Sequence, residues 1–157
     1  MVNPSKFYLL PGAIKCSKSP LEITTILGSC VSVCLWDSKL KMGGMNHFMM
    51  PFWNGDGLAS PKYGNIAIEK LVFNMLYLGS KRENMVAKVF GGAAVLDSCD
   101  GLFNIGERNI RIQEELLRQE NIKVVAGSLG GTVGRKLIFE TDTGLVKMKY
   151  IKKTQTP

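Results

Sequence analysis

The stretch that decides the fold is EITTILGSCVSVCLWDSKLKMGGMNHFMMP, residues 22–51. Residues 22–27 are mostly β-branched and apolar, and in residues 30–36 valine and leucine alternate with serine and cysteine. An alternation with a period of two predicts a β-strand with two different faces. The segment therefore predicts two consecutive strands, separated by a sharp turn at Gly28 and Ser29.

A hairpin is predicted to follow the second strand. Asp37 is a favoured first residue of a turn, which places the turn at residues 37–40. Residues 41–50 then form the returning strand, which Pro51 ends. Residues 52–61 are rich in Gly, Asn, Asp and Pro, and we expect a loop there, a candidate lid over a nearby site.

The remaining chain adds strands and two helices around this hairpin. Apolar residues recur on one stripe of the first helix, and Asn104 with Glu107 forms a capping box that opens the second. The predicted strands are 7–10, 85–90, 122–126 (short and buried), 137–141 and 145–152, and the predicted helices are 65–79 and 104–120. This order predicts an α+β fold, a layered sandwich of mostly antiparallel strands with two main helices. We expect one domain over residues 1–157.

Composition and charge limit the classes of function. Hydrophobic residues make up 45% and charged residues 21% of the 157 residues, which is typical of a globular domain. No signal-like run or 18-residue apolar stretch occurs, so we expect a soluble cytoplasmic protein without membrane insertion. The net charge of +7 indicates a negatively charged partner: nucleic acid, a membrane surface or an acidic protein. The densest basic run, residues 147–153, is typical of a solvated edge strand.

The chain contains one histidine, His47, so a reaction that needs an imidazole base has no other candidate. A turn at 37–40 pairs Trp36 with Lys41, and the same register places Cys30 directly opposite His47. Directly opposed side chains have Cβ atoms about 5 Å apart. An imidazole can activate a thiol for attack on an amide carbonyl and then protonate the departing nitrogen.

Two further groups complete this hypothesis. Backbone N–H groups in the turn at Gly28 and Ser29 can stabilise a developing oxyanion. A hydroxyl or carbonyl of Thr24 or Thr25 can hold the imidazole ring. The alternative is structural: a cysteine in an alternating strand is usually a buried thiol, and a lone histidine near apolar residues is usually a satisfied core residue.

The sequence resembles the CheD family of chemoreceptor glutamine deamidases over nearly its whole length. The stretches that carry the resemblance are TTILGSCVSVCLWD (24–37), GGMNHFMMP (43–51), KVFGGA (88–93), IGERN (105–109), GG with GRK (130–136) and FETDTG (139–144). The spacing between the cysteine and the histidine is the specific part of the pattern, and it favours the catalytic alternative over the structural one.

The resemblance implies a site, an activity and partners. The family's cysteine falls on Cys30, its histidine on His47, and its threonine, six positions before the cysteine, on Thr24 and not Thr25. It implies hydrolysis of receptor glutamines to glutamate through a Cys thioester, with hydrolysis of receptor glutamyl methyl esters in some members. It also implies a CheC-type phosphatase as partner and a fold like that of the cytotoxic necrotizing factor deamidases. We expect a monomer that needs no cofactor.

Three other interpretations are weaker. Cys30, Cys34, Cys99 and His47 could hold zinc, but the C-x3-C spacing lacks the tight knuckle of such sites, so we expect no metal. Residues 130–136 only superficially match a phosphate-binding loop, and a turn is favoured there. A nucleic-acid-binding module would interleave aromatic with basic residues, which this chain does not, so we expect no nucleic acid. A non-catalytic chemotaxis adaptor, binding receptors or the CheC phosphatase, is the remaining alternative.

Overall fold

The structure is a computed structural model, and it describes residues 4–94 and 104–151. Those residues form strands, two α-helices and one turn of 3-10 helix at Arg82–Asn84. The elements are β1 (Ser5–Tyr8), β2 (Ile14–Ser17), β3 (Leu21–Leu27), β4 (Val31–Asp37), β5 (Met42–Asn46), α1 (Gly64–Tyr77), β6 (Met85–Gly91), α2 (Ile105–Gln119), β7 (Lys123–Leu129), β8 (Arg135–Glu140) and β9 (Val146–Tyr150).

The strands form two sheets. One sheet has the order β1-β3-β8-β9, and the other has the order β2-β5-β4-β6-β7. The pairs β1–β3 and β6–β7 are parallel, whereas the other five are antiparallel. The prediction of an α+β fold with mostly antiparallel strands and two main helices is confirmed.

Two hydrophobic cores share strand β4. Val33 and Leu35 pack in the core that the five-stranded sheet forms with the helices. Cys34 and Met45 pack in the second core, which lies between the two sheets and includes Phe139 of β8. Successive side chains of a strand point to opposite faces, and here both faces are covered. Strand β4 is therefore the centre of a helix–sheet–sheet sandwich.

The helices begin and end close to the predicted bounds. Asn104 caps α2, with its side-chain oxygen accepting a 3.1 Å hydrogen bond from the Glu107 N–H, as the capping-box pattern predicts. Gly79 follows α1 with φ +109, a conformation that glycine adopts without steric cost. Neither helix is long and apolar enough to cross a membrane within the described ranges.

Strand β7 departs from the prediction of a short buried strand. Val124 and Val125 are 41% and 47% exposed. The reason is its position: β7 is the edge strand of its sheet and pairs only with β6. An apolar run shows that a strand is present, but it does not show which strand lies at the edge.

Candidate active site

The β4–β5 hairpin has a different register from the predicted one. Asp37 remains in strand β4 and pairs with Met42, so the loop is residues 38–41 instead of 37–40. Asp37 Oδ1 accepts hydrogen bonds from the N–H groups of Lys39 and Leu40, which stabilises this loop. The register therefore shifts by two residues, and the prediction that Cys30 lies directly opposite His47 is wrong.

The pairing of β4 with its neighbour is interrupted beside the candidate site. Asn46 Oδ1 accepts the Val33 N–H at 2.8 Å, and Asn46 Nδ2 donates to the Ala67 carbonyl of α1 at 3.2 Å. Pairing resumes where Val31 and Phe48 exchange two backbone hydrogen bonds of 3.1 and 3.0 Å. The side chain of Asn46 thus occupies a place that a backbone carbonyl holds in an unbroken ladder.

Cys30 and His47 each immediately precede one member of the Val31–Phe48 pair. They are therefore diagonal neighbours across the two strands. Because the register shifts by an even number of residues, both side chains remain on the same face of the sheet. Diagonal neighbours lie about 7–8 Å apart, a separation that long and aromatic side chains span. Both face the space between the sheets, since Cys30 packs on the inter-sheet core and His47 bonds to a residue of β3. The structure brings the two predicted residues to one place, although not in direct opposition.

The hydrogen bonds of Thr25 fix the tautomer of the imidazole. Thr25 Oγ1 lies 2.8 Å from the Leu9 carbonyl and 2.7 Å from His47 Nδ1. A carbonyl only accepts hydrogen bonds, so the Thr25 hydroxyl uses its single proton to donate to Leu9. The contact with His47 must then be donated by the ring, so Nδ1 is protonated. His47 Nε2 is buried without a hydrogen-bond partner among the described residues. It therefore presents a free lone pair, as a general base requires.

Thr24 does not make this contact. Neighbouring side chains of β3 point to opposite faces, so the buried Thr25 faces the other sheet and Thr24 faces away from it. The expectation that Thr24 holds the ring is corrected here: the threonine that touches His47 lies five positions before Cys30. Sequence spacing alone could not separate two adjacent threonines.

Both candidate reactive groups are uncharged at neutral pH. Burial lowers the pKa of His47 to about 4, and burial raises the pKa of the half-buried Cys30 thiol above its usual value. Desolvation disfavours the charged form of each group. The resting pair is therefore a neutral thiol and a neutral imidazole, and one proton transfer is needed to make the nucleophile.

The segment after β6 supports the backbone around Cys30. The N–H groups of Gly92 and Ala93 donate to the carbonyls of Cys30 and Gly28 at 2.9 and 3.0 Å. Gly91 has φ +108, and a Cβ there would lie 2.1 Å from the Cys30 carbonyl oxygen, so only glycine fits. This places the Gly91–Gly92 pair beside the candidate nucleophile.

The predicted oxyanion turn at Gly28 and Ser29 lies directly before Cys30. The Gly28 and Ser29 carbonyls are both bonded, the latter to Asn109. Among the hydrogen bonds of residues 4–94 and 104–151, the Ser29 N–H has no acceptor, and the Cys30 N–H has only the sulfur of its own side chain. Two N–H groups thus lie next to the thiol, where they can bind a developing negative charge.

Sequence reasoning named Arg135 only as part of the family resemblance. The residue is 2% exposed, and it donates to the Gly130 carbonyl at 2.8 Å and to Ser128 Oγ at 3.0 Å. Its guanidinium lies 5.3 Å from the ring centre of Tyr150. A more distant contact of 3.4 Å reaches the Gly91 carbonyl. Arg135 therefore joins the turn before β8 to the segment behind Cys30. Residues 130–134 form a turn, as favoured over the phosphate-loop interpretation.

Asn109 was also missed, although a signal was present. It lies on the buried stripe of α2, together with Gln113 and Leu117. A carboxamide at a core position of an amphipathic helix needs buried hydrogen-bond partners, and so indicates a structural or functional contact. Asn109 bonds to the backbone beside both Cys30 and His47.

No cluster of three or more potential metal ligands occurs within the described ranges. The fourth cysteine of the zinc interpretation, Cys99, lies outside those ranges. Cys34 is fully buried in the inter-sheet core and contacts apolar side chains.

Comparison with known proteins identifies the family. A family model described as CheD chemotactic sensory transduction matches residues 49–150. A "Probable chemoreceptor glutamine deamidase CheD" of Trichlorobacter lovleyi is 54% identical over 141 residues, which cover 90% of this chain and 88% of the relative. The chain belongs to the CheD family. A second CheD, from Sulfurimonas denitrificans, is 49% identical over 152 residues, covering 96% of this chain and 97% of the relative.

The CheD resemblance expected from the sequence is confirmed. A CheD 1 of Anaeromyxobacter dehalogenans is 41% identical over 147 residues and covers 94% of this chain. The family model begins at residue 49 and so does not include Cys30 and His47. The Sulfurimonas alignment, at 96% of the chain, does include them.

Proposed function

We propose that this CheD protein is a protein-glutamine deamidase that acts on methyl-accepting chemotaxis receptors. Its relatives bear the name chemoreceptor glutamine deamidase. The observation that carries the proposal is the imidazole of His47, on the same face as Cys30. Its Nδ1 is bonded to Thr25, and its Nε2 has no partner in the part of the chain that the structure describes. A buried nitrogen without a partner is costly for stability, and a catalytic base is a reason to retain one.

The first half of the reaction forms a thioester. His47 Nε2 takes the proton of the Cys30 thiol, and the sulfur attacks the side-chain carbonyl carbon of glutamine. The negative charge that develops on the carbonyl oxygen is stabilised by the N–H groups of Ser29 and Cys30. The C–N bond then breaks, Nε2 returns its proton to the nitrogen, and ammonia leaves.

The second half releases glutamate. His47 removes a proton from water, the resulting hydroxide attacks the thioester carbonyl, and the C–S bond breaks. The proton returns to the sulfur, which restores the thiol. A glutamyl methyl ester gives the same thioester with methanol as leaving group, so esterase activity belongs to the same proposal.

Thr25 acts by orientation. Its Oγ1 accepts a hydrogen bond of 2.7 Å from the Nδ1–H group of His47 and donates its own proton to the Leu9 carbonyl. The ring is thereby held in the tautomer that accepts a proton at Nε2. This is the role that the third member of a catalytic triad performs in hydrolases with an imidazole base.

The net charge of +7 supports an acidic partner such as a helical receptor domain. The proposal places the protein in the cytoplasm as a one-domain monomer over residues 1–157, with no cofactor and with a CheC-type phosphatase as modulating partner. It includes a fold like that of the cytotoxic necrotizing factor deamidases, which a structural superposition tests. Titration of the purified protein with CheC, followed by analytical ultracentrifugation, tests the partner and the oligomeric state.

The decisive experiment incubates the protein with a receptor cytoplasmic fragment and follows glutamine-to-glutamate conversion by mass spectrometry. We expect conversion by the unmodified protein and by Cys34→Ala, which removes a thiol from the same strand. We expect none by Cys30→Ala and a loss of about 10³-fold or more by His47→Ala. Unchanged conversion by Cys30→Ala refutes the catalytic assignment. Receptor binding without any conversion supports the adaptor alternative instead.

A further inference from the structure

Asn109 lies on the second turn of α2 and is completely buried. Its Nδ2 donates to the Ser29 carbonyl at 3.0 Å and to the Met49 carbonyl at 3.1 Å. Because carbonyl oxygens only accept, the NH2 group must face them and use one N–H for each. One carboxamide therefore joins the residue before Cys30 to the second residue after His47.

The first of these bonds fixes the peptide group between Ser29 and Cys30. In a trans peptide, the C=O and the N–H point in opposite directions. Asn109 holds the Ser29 carbonyl towards α2, so the Cys30 N–H points away from the helix. That N–H lies against the Cys30 sulfur, and it has no other acceptor among the hydrogen bonds of the described residues.

The peptide group on the other side of Cys30 is fixed as well. The Cys30 carbonyl accepts the Gly92 N–H at 2.9 Å, and the Val31 N–H donates to Phe48. Cys30 is therefore held on both sides, and its own N–H lies beside its sulfur. A donor that is oriented before the reaction stabilises a developing oxyanion without the cost of reorganisation.

The helix that carries Asn109 cannot shift easily. A Cβ at Gly106 would lie 2.5 Å from the Gly92 carbonyl oxygen, and a Cβ at Gly92 would lie 2.5 Å from Ile110. The start of α2 thus packs directly on the segment that holds the Cys30 carbonyl. This close packing positions the Asn109 side chain relative to Cys30.

We propose that Asn109 is a positioning residue for deamidation, which orients the Cys30 N–H as an oxyanion donor by holding the Ser29 carbonyl. This inference rests on the proposed deamidase function. The role predicts a specific defect. Loss of Asn109 slows reactions that pass through an oxyanion and spares reactions of the thiol that do not.

The test compares two reactions of Cys30 in the full chain. One is deamidation of a receptor cytoplasmic fragment, which forms an oxyanion. The other is alkylation by iodoacetamide, a displacement at a saturated carbon that forms none. For Asn109→Ala we expect kcat to fall about 10²-fold, KM to stay within about twofold, and the rate of Cys30 alkylation to stay within about twofold.

Two further variants separate this role from a general effect on folding. Asn109→Asp keeps the shape of the side chain, and at a pH above the pKa of the buried carboxyl it cannot donate, so we expect the same selective loss there. Gln113→Ala removes a buried carboxamide one turn along the same helix, and we expect normal kcat. Circular dichroism and thermal unfolding confirm the fold of each variant, and Asn109→Asp decides the matter if Asn109→Ala does not fold.

The outcomes are distinguishable. Unchanged kcat in folded Asn109→Ala or Asn109→Asp overturns the inference. An equal fall in deamidation and alkylation, or an equal loss of kcat in Gln113→Ala, also overturns it. If the unmodified protein releases no ammonia, the proposed function itself fails, whatever the variants show.

Discussion

Cys30 and Cys34 are four residues apart and contact the same inter-sheet core, but their surroundings differ. Cys34 is 1% exposed in the regular part of β4, where it pairs with Met45, and burial raises its pKa far above that of a free thiol. Cys30 is half-buried just before the strand begins, beside an interrupted ladder and a free imidazole nitrogen. Cys30 is therefore the candidate nucleophile of the two, because it is partly exposed and lies outside the regular strand pairing, beside backbone N–H groups.

The largest expected effect is a difference in labelling between these two thiols. We expect iodoacetamide to modify Cys30 in the folded protein and Cys34 only after opening of the core, about 10³-fold more slowly. Peptide mapping by mass spectrometry with and without denaturant measures both rates. Similar rates in the folded protein would show that the two environments do not differ as the structure indicates.

The next effect concerns the neighbouring threonines of β3. Thr25→Val removes the hydroxyl that holds the Nδ1 proton of His47, and we expect kcat to fall about 10²-fold. Thr24→Val removes an equivalent hydroxyl from the other face of the strand and serves as the matched control, with kcat within about twofold. A larger loss in Thr24→Val than in Thr25→Val would restore the original assignment of Thr24.

The buried imidazole also has a pH signature. The folded-state pKa of His47, about 4, lies below the ordinary histidine value of 6.5 because the ring is buried, so the native state favours the neutral ring. This contribution to stability is fully present above pH 6.5 and is lost as the pH falls through about 4. Between pH 7 and 4.5 we expect the free energy of unfolding of the unmodified protein to fall by about 2 kcal/mol more than that of His47→Asn, whose side chain stays neutral.

Urea denaturation at several pH values measures this difference, and the rate profile provides a second reading. The acid limb of kcat/KM should lie near pH 4, because the proposed mechanism needs neutral His47. Parallel stability curves for the two proteins, or an acid limb near pH 6.5, would mean that the ring is solvated.

The smallest effect lies at the opposite end of the hairpin. Lys41 has φ +52, a left-handed conformation that costs a non-glycine residue free energy. We expect Lys41→Gly to raise the free energy of unfolding by about 0.5–1 kcal/mol without changing kcat. Lys39→Gly, in the same loop without a positive φ, should give no such gain. A change of kcat in Lys41→Gly would show that this loop is coupled to the active site.

The elements and the meeting of the two candidate residues, Cys30 and His47, could be predicted because they depend on local patterns. Alternation along β4, the apolar stripe of α1 and the capping residue Asn104 each act within a few residues. The single histidine left no competing base. These signals establish the strands, the helices and the pair Cys30 and His47.

The details of the site depend on contacts that no local pattern encodes. The hairpin register was set by Asp37, which caps the loop while it remains paired with Met42. The choice between Thr24 and Thr25 depended on which face of β3 meets the other sheet. Asn109 contacts Ser29 and Met49, which lie 80 and 60 positions before it in the sequence. Such contacts become visible only in three dimensions.

The chain leaves the hairpin at Met50 and returns at Tyr63, where backbone hydrogen bonds from Met49 and Met50 to the Lys62 carbonyl close the base of the loop. The intervening residues, with Phe52 and Leu58 59% and 91% exposed, begin only a few positions after His47. We expect an insertion or deletion between these fixed ends to leave both the sheet and the Cys30–His47 pair in place. Under the deamidase proposal, sequence change in this segment would alter contacts with a receptor without displacing the residues proposed for catalysis.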